Sequence, residues 1–202
     1  MWTPERRELI YNSAFVGANL ERMDLRGMDL RGANFTNANL RGADLSYANL
    51  RHAIFIKADL SRASLHQTRF DYADMTDADL TMSYGRATNF YKARLWCVKF
   101  RRVTYKNCFF CEADLTDADF VGAELLGSKF DGAKLNGIKN THRATFHWWV
   151  SPYGLGPSKI SYEPIPGYRL MDESATKGWS NRENAAREKI EYLIEKGHIK
   201  ND

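Results

Sequence analysis

Cysteine and histidine are scarce in this chain of 202 residues, which has three of the first and five of the second. Three thiols cannot build the disulfide framework of a small secreted domain, and they agree with a reducing compartment. No apolar run approaches the roughly 20 residues that a membrane-spanning helix needs. The opening residues, MWTPERRELIYN, lack the basic-then-apolar order of a signal peptide. The expectation is a soluble cytoplasmic protein without a membrane partner. His52, His66, His142, His147 and His198 show no ligand spacing such as H-x-x-x-H, and neither G-x-S-x-G nor a phosphate loop is present. No catalytic residue, metal ligand or cofactor is therefore expected, and the chain does not read as an enzyme.

What the sequence does have is a period of five. In NFTNANLRGADLSYANL, residues 34–50, Phe35, Leu40, Leu45 and Leu50 recur at every fifth position. Five residues advance an α-helix by about 500°, so successive Leu would drift around it. On a flat strand an odd period throws them to opposite faces. A stripe that stays inside needs a chain that turns a corner at every repeat. From Phe15 to Leu135 the frame offers 25 central positions, of which Leu, Phe, Met or Tyr fills 24 and Gly85 is the exception. The position two residues earlier is Ala in 15 of 25 cases, small enough to point inward at a corner. Repetition in one unbroken frame means a solenoid, stabilised by coil stacked on coil.

The units Ala-Asn-Leu-Arg-Gly (38–42), Ala-Asp-Leu-Ser-Tyr (43–47), Ala-Asp-Leu-Thr-Asp (113–117) and Ala-Asp-Phe-Val-Gly (118–122) resemble the pentapeptide-repeat proteins, whose motif is A-(D/N)-L-x-x. The resemblance covers about residues 11 to 140. It implies an all-β solenoid, a right-handed quadrilateral β-helix with four pentapeptides per coil. Some six coils at about 4.8 Å each would make a rod on the order of 30 Å long. Folding the sequence at twenty residues puts Leu50, Phe70, Phe90, Phe110 and Phe130 in one inward column and Phe15, Phe35 and Phe55 in another, where rings can stack. A third column is broken by Gly85, a gap expected to be filled by Tyr105 or by a local bulge. The same register points Cys108 inward and Cys111 outward, so their C-x-x-C is not expected to hold a metal. Asp44, Asp59, Asp74, Asp79, Asp114 and Asp119 each precede a central residue, and are read as turn-stabilising side chains bonded to backbone.

The ends read differently. Thr3-Pro4-Glu5 resembles a helix N-terminus, giving a capping helix within residues 1–12 ahead of the β-helix at 13–140. After Leu135 the frame is lost. Residues 141–202 are expected to form a C-terminal cap: an aromatic, Pro-rich extended segment, then a helix over about 181–196. A capping box at Ser180–Glu183 opens that helix and Gly197 closes it. This end caps its own rod or joins two rods, so the chain is expected to be a monomer or a C-terminally mediated homodimer.

Charge is distributed in bands. Arg86, Lys92, Arg94, Lys99, Arg101, Arg102 and Lys106 are seven cations without an intervening acid, whereas 112–131 carries six acids against Lys129. The basic belt, with outward Tyr91 and Trp96, is the favoured contact for a protein partner. Its seven unbalanced charges would cost self-repulsion. Direct nucleic-acid binding is less favoured, because the belt wraps several sides of one coil. The resemblance offers an alternative partner. Several pentapeptide-repeat proteins mimic duplex DNA with an acidic surface and modulate or protect a type II topoisomerase, DNA gyrase. Here that surface would comprise Glu112, Asp114, Asp117, Asp119 and Asp131. The cationic mid-section departs from the acidity such mimicry rests on. An ice-binding face is excluded, because Ile56 and Trp96 interrupt the column of Thr36, Thr76 and Thr116.

Overall fold

The computed structural model describes residues 15–141, 144–147 and 195–197. The expected N-terminal helix and the aromatic segment beyond 147 lie outside the described residues. So does the C-terminal helix except for its end, where Glu195 is helical and Gly197 takes φ +70°. Any role of that end in dimerisation lies outside them too.

Each pentapeptide makes one parallel bridge to the pentapeptide twenty residues on. Asn19 bridges Asn39, Asp24 bridges Asp44, Asp29 bridges Asn49 and Asn34 bridges Ile54, and the same four columns continue along the rod. Four bridges per twenty residues make the solenoid four-sided. Asn39 N–H donates to Ala18 C=O at 2.9 Å and Leu20 N–H to Asn39 C=O at 2.7 Å, so the polar backbone is satisfied from coil to coil. Corners are closed by bonds such as Ala38 N–H to Phe35 C=O at 2.9 Å. The residue two past each centre takes a positive φ, as in Asn37 at +58° and Lys57 at +58°. That conformation is what a type II turn requires. The expected role of the acids is met as well. Asp44, Asp59, Asp74 and Asp79 each accept the N–H two residues ahead, at 3.0, 2.8, 3.1 and 2.9 Å.

The interior is a column of stacked side chains. Phe15, Phe35 and Phe55 follow one another at 4.7 Å, and Phe70, Phe90, Phe110 and Phe130 at 5.2, 4.8 and 4.8 Å. The central residues from Phe15 to Leu125 are buried. The Gly85 gap is filled from two sides. Tyr105 is fully buried and shares a 2.7 Å hydrogen bond with Ser83. The Thr88 hydroxyl donates to Leu65 C=O at 2.6 Å, in the space a Cβ on Gly85 would need.

On the Gly85 side the single bridges lengthen into strands: β1 (Tyr84–Arg86), β2 (Thr104–Lys106), β3 (Glu124–Leu126) and β4 (Thr145–His147), paired in that order and parallel. Strand β4 corrects the expectation that the frame is lost after Leu135, and takes the coil beyond residue 140. Lys139 still bridges Asp119, but Thr145 pairs with Glu124, a step of 21 in place of 20. One inserted residue shifts the frame, which is why a strict five-residue reading loses it. Asn140, with φ +58° outside the five-residue series, sits in that insertion and donates to Asp119 at 2.8 Å. Among the described residues no helix is long and apolar enough to cross a membrane.

Candidate interaction surface

With the inside filled, chemistry is left to the outside. Each side of each coil turns out three residues: the corner residue with positive φ, the bridge residue, and the one after the centre.

On the side that carries Trp96, Arg94 Nη1 meets Asp74 Oδ2 at 2.9 Å, one coil back, and its guanidinium lies 5.1 Å from the Trp96 ring. Trp96 is 43% exposed, a large apolar surface left open. Lys92 Nζ lies 3.3 Å from Glu112 Oε2, one coil ahead, and Tyr91 donates to Glu112 Oε1 at 3.0 Å. Tyr91 and Glu112 hold the Lys92 ammonium above its usual range. Tyr91 is half-buried. Asp114 accepts the Thr116 hydroxyl at 2.6 Å and Lys134 at 3.2 Å. Partial burial pushes its carboxyl up, but Thr116, Trp96 and Lys134 outweigh that and hold it at about 2.

On the next side Lys99 pairs with Asp79 at 3.1 Å and Arg101 with Asp119 at 2.7 Å. Burial raises the carboxyls of Asp79 and Asp119, and their hydrogen bonds and cations bring both below the ordinary value. Lys139 reaches Asp117 at 3.6 Å. The belt is therefore not seven unbalanced charges. Lys92, Arg94, Lys99 and Arg101 are each paired with a carboxylate one coil away. Stacking brings residues about twenty apart in sequence to about 4.8 Å, so a charge count along the chain misses the pairing.

The acidic surface is compensated by the same contacts. Glu112, Asp114, Asp117 and Asp119 each face a cation, and Asp131 lies 3.7 Å from the Cys111 thiol. Cys108 is buried, which pushes its thiol up to about 11, while Cys111 is half-buried on the outside. Among the described residues no group of His, Cys, Asp or Glu is arranged to hold a metal ion.

Arg86, Arg102 and Lys106 remain, all exposed on the side of β1 and β2, where Arg62 joins them from one coil earlier. None of the four forms an ion pair with a described residue. Met82 and Tyr84, 40% and 45% exposed, lie among them. The sequence reading missed this grouping although its signal was present. Folding at twenty residues aligns Arg62, Met82 and Arg102 in one outward column and His66, Arg86 and Lys106 in another.

A sequence profile described as pentapeptide repeats matches residues 13–46, 43–81 and 106–137, in eight copies. The stretch from 82 to 105, between two matches, holds Gly85 and most of the belt. No curated protein matches the chain in sequence. Among solved structures it is similar to HetL, a pentapeptide repeat protein involved in heterocyst differentiation regulation in the cyanobacterium Nostoc. Identity there is 26% and the TM-score 0.34, over 61% of this chain and 57% of HetL. The chain thus spans little more than half of HetL's length. It is also similar to a pentapeptide repeat protein of the Arabidopsis thaliana thylakoid lumen, at 27% identity and TM-score 0.37, over 56% of this chain and 66% of that one. QnrB1, a plasmid-mediated fluoroquinolone resistance protein, is similar at 14% identity and TM-score 0.37, over 62% of this chain and 85% of QnrB1.

Proposed function

The chain belongs to the pentapeptide repeat family, and from that premise we propose that it is a non-enzymatic protein-interaction module. A rod whose every coil is hydrogen-bonded to the next presents outward side chains at fixed spacing and loses little entropy on docking. The observation that carries this reading is Trp96. It is an exposed indole with Arg94 stacked against it, on a backbone bonded to the coils on both sides. Trp and Arg are the residues that dominate binding energy at protein interfaces. The contact surface comprises Arg86, Tyr91, Lys92, Arg94, Trp96, Lys99, Arg101, Arg102 and Lys106.

A photo-crosslinking residue placed at position 96 tests the reading against the same residue at position 36, on the same side but three coils away. A discrete protein adduct from position 96 and none from position 36 supports it. Equal labelling from both, or none, removes the belt as a contact.

The topoisomerase reading makes a different demand, since it needs Asp114, Asp117 and Asp119 as a free acidic surface. Their cation partners weaken it. Supercoiling by DNA gyrase, titrated with this protein with and without a quinolone, checks it. An effect abolished by neutralising those three acids would restore it.

A further inference from the structure

We propose that the side of the rod built on β1 and β2 is a docking face for an acidic protein segment. This rests on the interaction-module reading and moves its centre from Trp96 to Tyr84.

Three successive coils turn out a grid of eight residues there, Arg62 and His66, then Met82, Tyr84 and Arg86, then Arg102, Thr104 and Lys106, while Ser64 is buried against Ser46. The register is fixed by pairing, with Ser64 against Tyr84, Tyr84 against Thr104 and Arg86 against Lys106. Four of the eight are cations and none is an acid. Other belt cations are placed differently, with a carboxylate one coil away, as Arg94 has Asp74 and Lys99 has Asp79. Adjacent coils stand about 4.8 Å apart, so Arg86 and Lys106 repel each other along the β1–β2 pair. Among the described residues the other belt cations, Lys92, Arg94, Lys99 and Arg101, have carboxylates, and the four of the grid have none. The acids that bound the grid, Asp44 and Glu124, lie one coil beyond it on either end; Asp44 lies within 3.8 Å of Arg26.

The centre of the grid is apolar. Tyr84 stands edge-on to His66 at 5.4 Å, with Met82 beside it. An aromatic and a methionine inside a ring of cations favour a protein over a nucleic acid. Tyr, Met and Arg are the side chains enriched at protein contacts, and Met adapts to apolar partners of varied shape. The complementary surface is a segment with carboxylates spaced around an aliphatic or aromatic side chain.

The test uses the full chain and a fluorescein-labelled peptide in which single Leu residues interrupt runs of Glu, read by anisotropy. The variant R62Q/R86Q/R102Q/K106Q removes four charges from the grid, and K92Q/R94Q/K99Q/R101Q removes four from the paired sides. The expected result is a loss of affinity of about tenfold or more for the first and of less than about threefold for the second. Y84A, which leaves charge unchanged, should weaken binding by several fold. Equal losses in the two charge-matched variants would overturn the proposal, as would no binding of the peptide to the native chain. Tighter binding of a DNA duplex, with affinity falling steeply in salt, would assign the face to nucleic acid instead. Failure of the peptide leaves the crosslinking result at position 96 standing, and failure of crosslinking leaves the peptide result standing, so the two readings fall separately.

Discussion

Arg101 Nε meets Asp119 Oδ2 at 2.7 Å across one coil of the rod, and Asp119 is buried while Arg101 is half-exposed. The exposed partner can swing into water, whereas the buried carboxylate must find its donors where it stands. It has them in Arg101, in Asn140 at 2.8 Å and in the Val121 amide at 3.2 Å. The belt is therefore neutralised from both sides, by Asp74 and Asp79 one coil back and by Glu112 and Asp119 one coil ahead.

Gly85 is held to glycine by space. A Cβ there would lie 2.4 Å from Thr88 Oγ1 and 3.2 Å from Leu65 C=O. Gly85→Ala is expected to cost about 1–3 kcal/mol, the range for overpacking a filled core. Thr88→Ala in the same chain removes the nearest atom, so the double variant should be more stable than the sum of the single losses implies. Urea midpoints for the four chains of this cycle measure the coupling, and strict additivity would contradict the packing described.

Corner residues carry a different constraint. Gly32 has φ +70° with nothing within 4 Å of its would-be Cβ, and Lys57 occupies the equivalent corner position at φ +58°. Gly32→Ala should then cost about 1 kcal/mol from backbone strain alone, and Lys57→Gly should stabilise by up to a similar amount. Opposite signs in thermal unfolding are the expected outcome. A destabilising Lys57→Gly would mean that the lysine side chain supports the corner.

The architecture could be read from the chain because the five-residue frame repeats one local solution, and Leu40, Ala43 and Asp44 each mean the same thing wherever the unit recurs. The Phe70 to Phe130 stack followed from folding that frame at twenty. What escaped the reading was whatever depends on coils being neighbours with more than period alone. The pairing of Lys99 with Asp79 and Arg101 with Asp119 needs the actual side-chain reach between coils. The continuation into Thr145–His147 needs the single insertion at about Asn140, which no periodic frame anticipates. The cluster around Tyr84 is dispersed along the chain, because Arg62 and Met82 lie outside the run 86–106 and meet it only when coils stack.

Acid should act on the fold through Asp114. Its carboxyl is held at about 2, below the ordinary value of about 3.9. A carboxylate depressed in the folded state stabilises above its unfolded pKa and loses that contribution as pH falls through the folded one. Stability should therefore drop between about pH 4 and about pH 2, and Asp114→Asn should be less stable at neutral pH with a shallower drop in that window. Asp79 and Asp119 shift in the same direction, so some slope should remain. An unchanged slope in the variant, followed by urea midpoints across that window, would contradict the hydrogen bonds assigned to Asp114.

Comparing two single reversals, Arg101→Glu and Arg86→Glu, tests most directly whether the cations of the rod divide into those that serve the fold and those that do not. In the first, the buried Asp119 loses its cation and gains a like charge, and unfolding free energy should fall by about 1–3 kcal/mol. In the second, a carboxylate appears beside Lys106, and stability should stay equal or rise by a few tenths to about 1 kcal/mol. Equal losses in both would mean that Arg86 also serves the fold, and the β1–β2 side would have no special claim as a surface kept open for a partner.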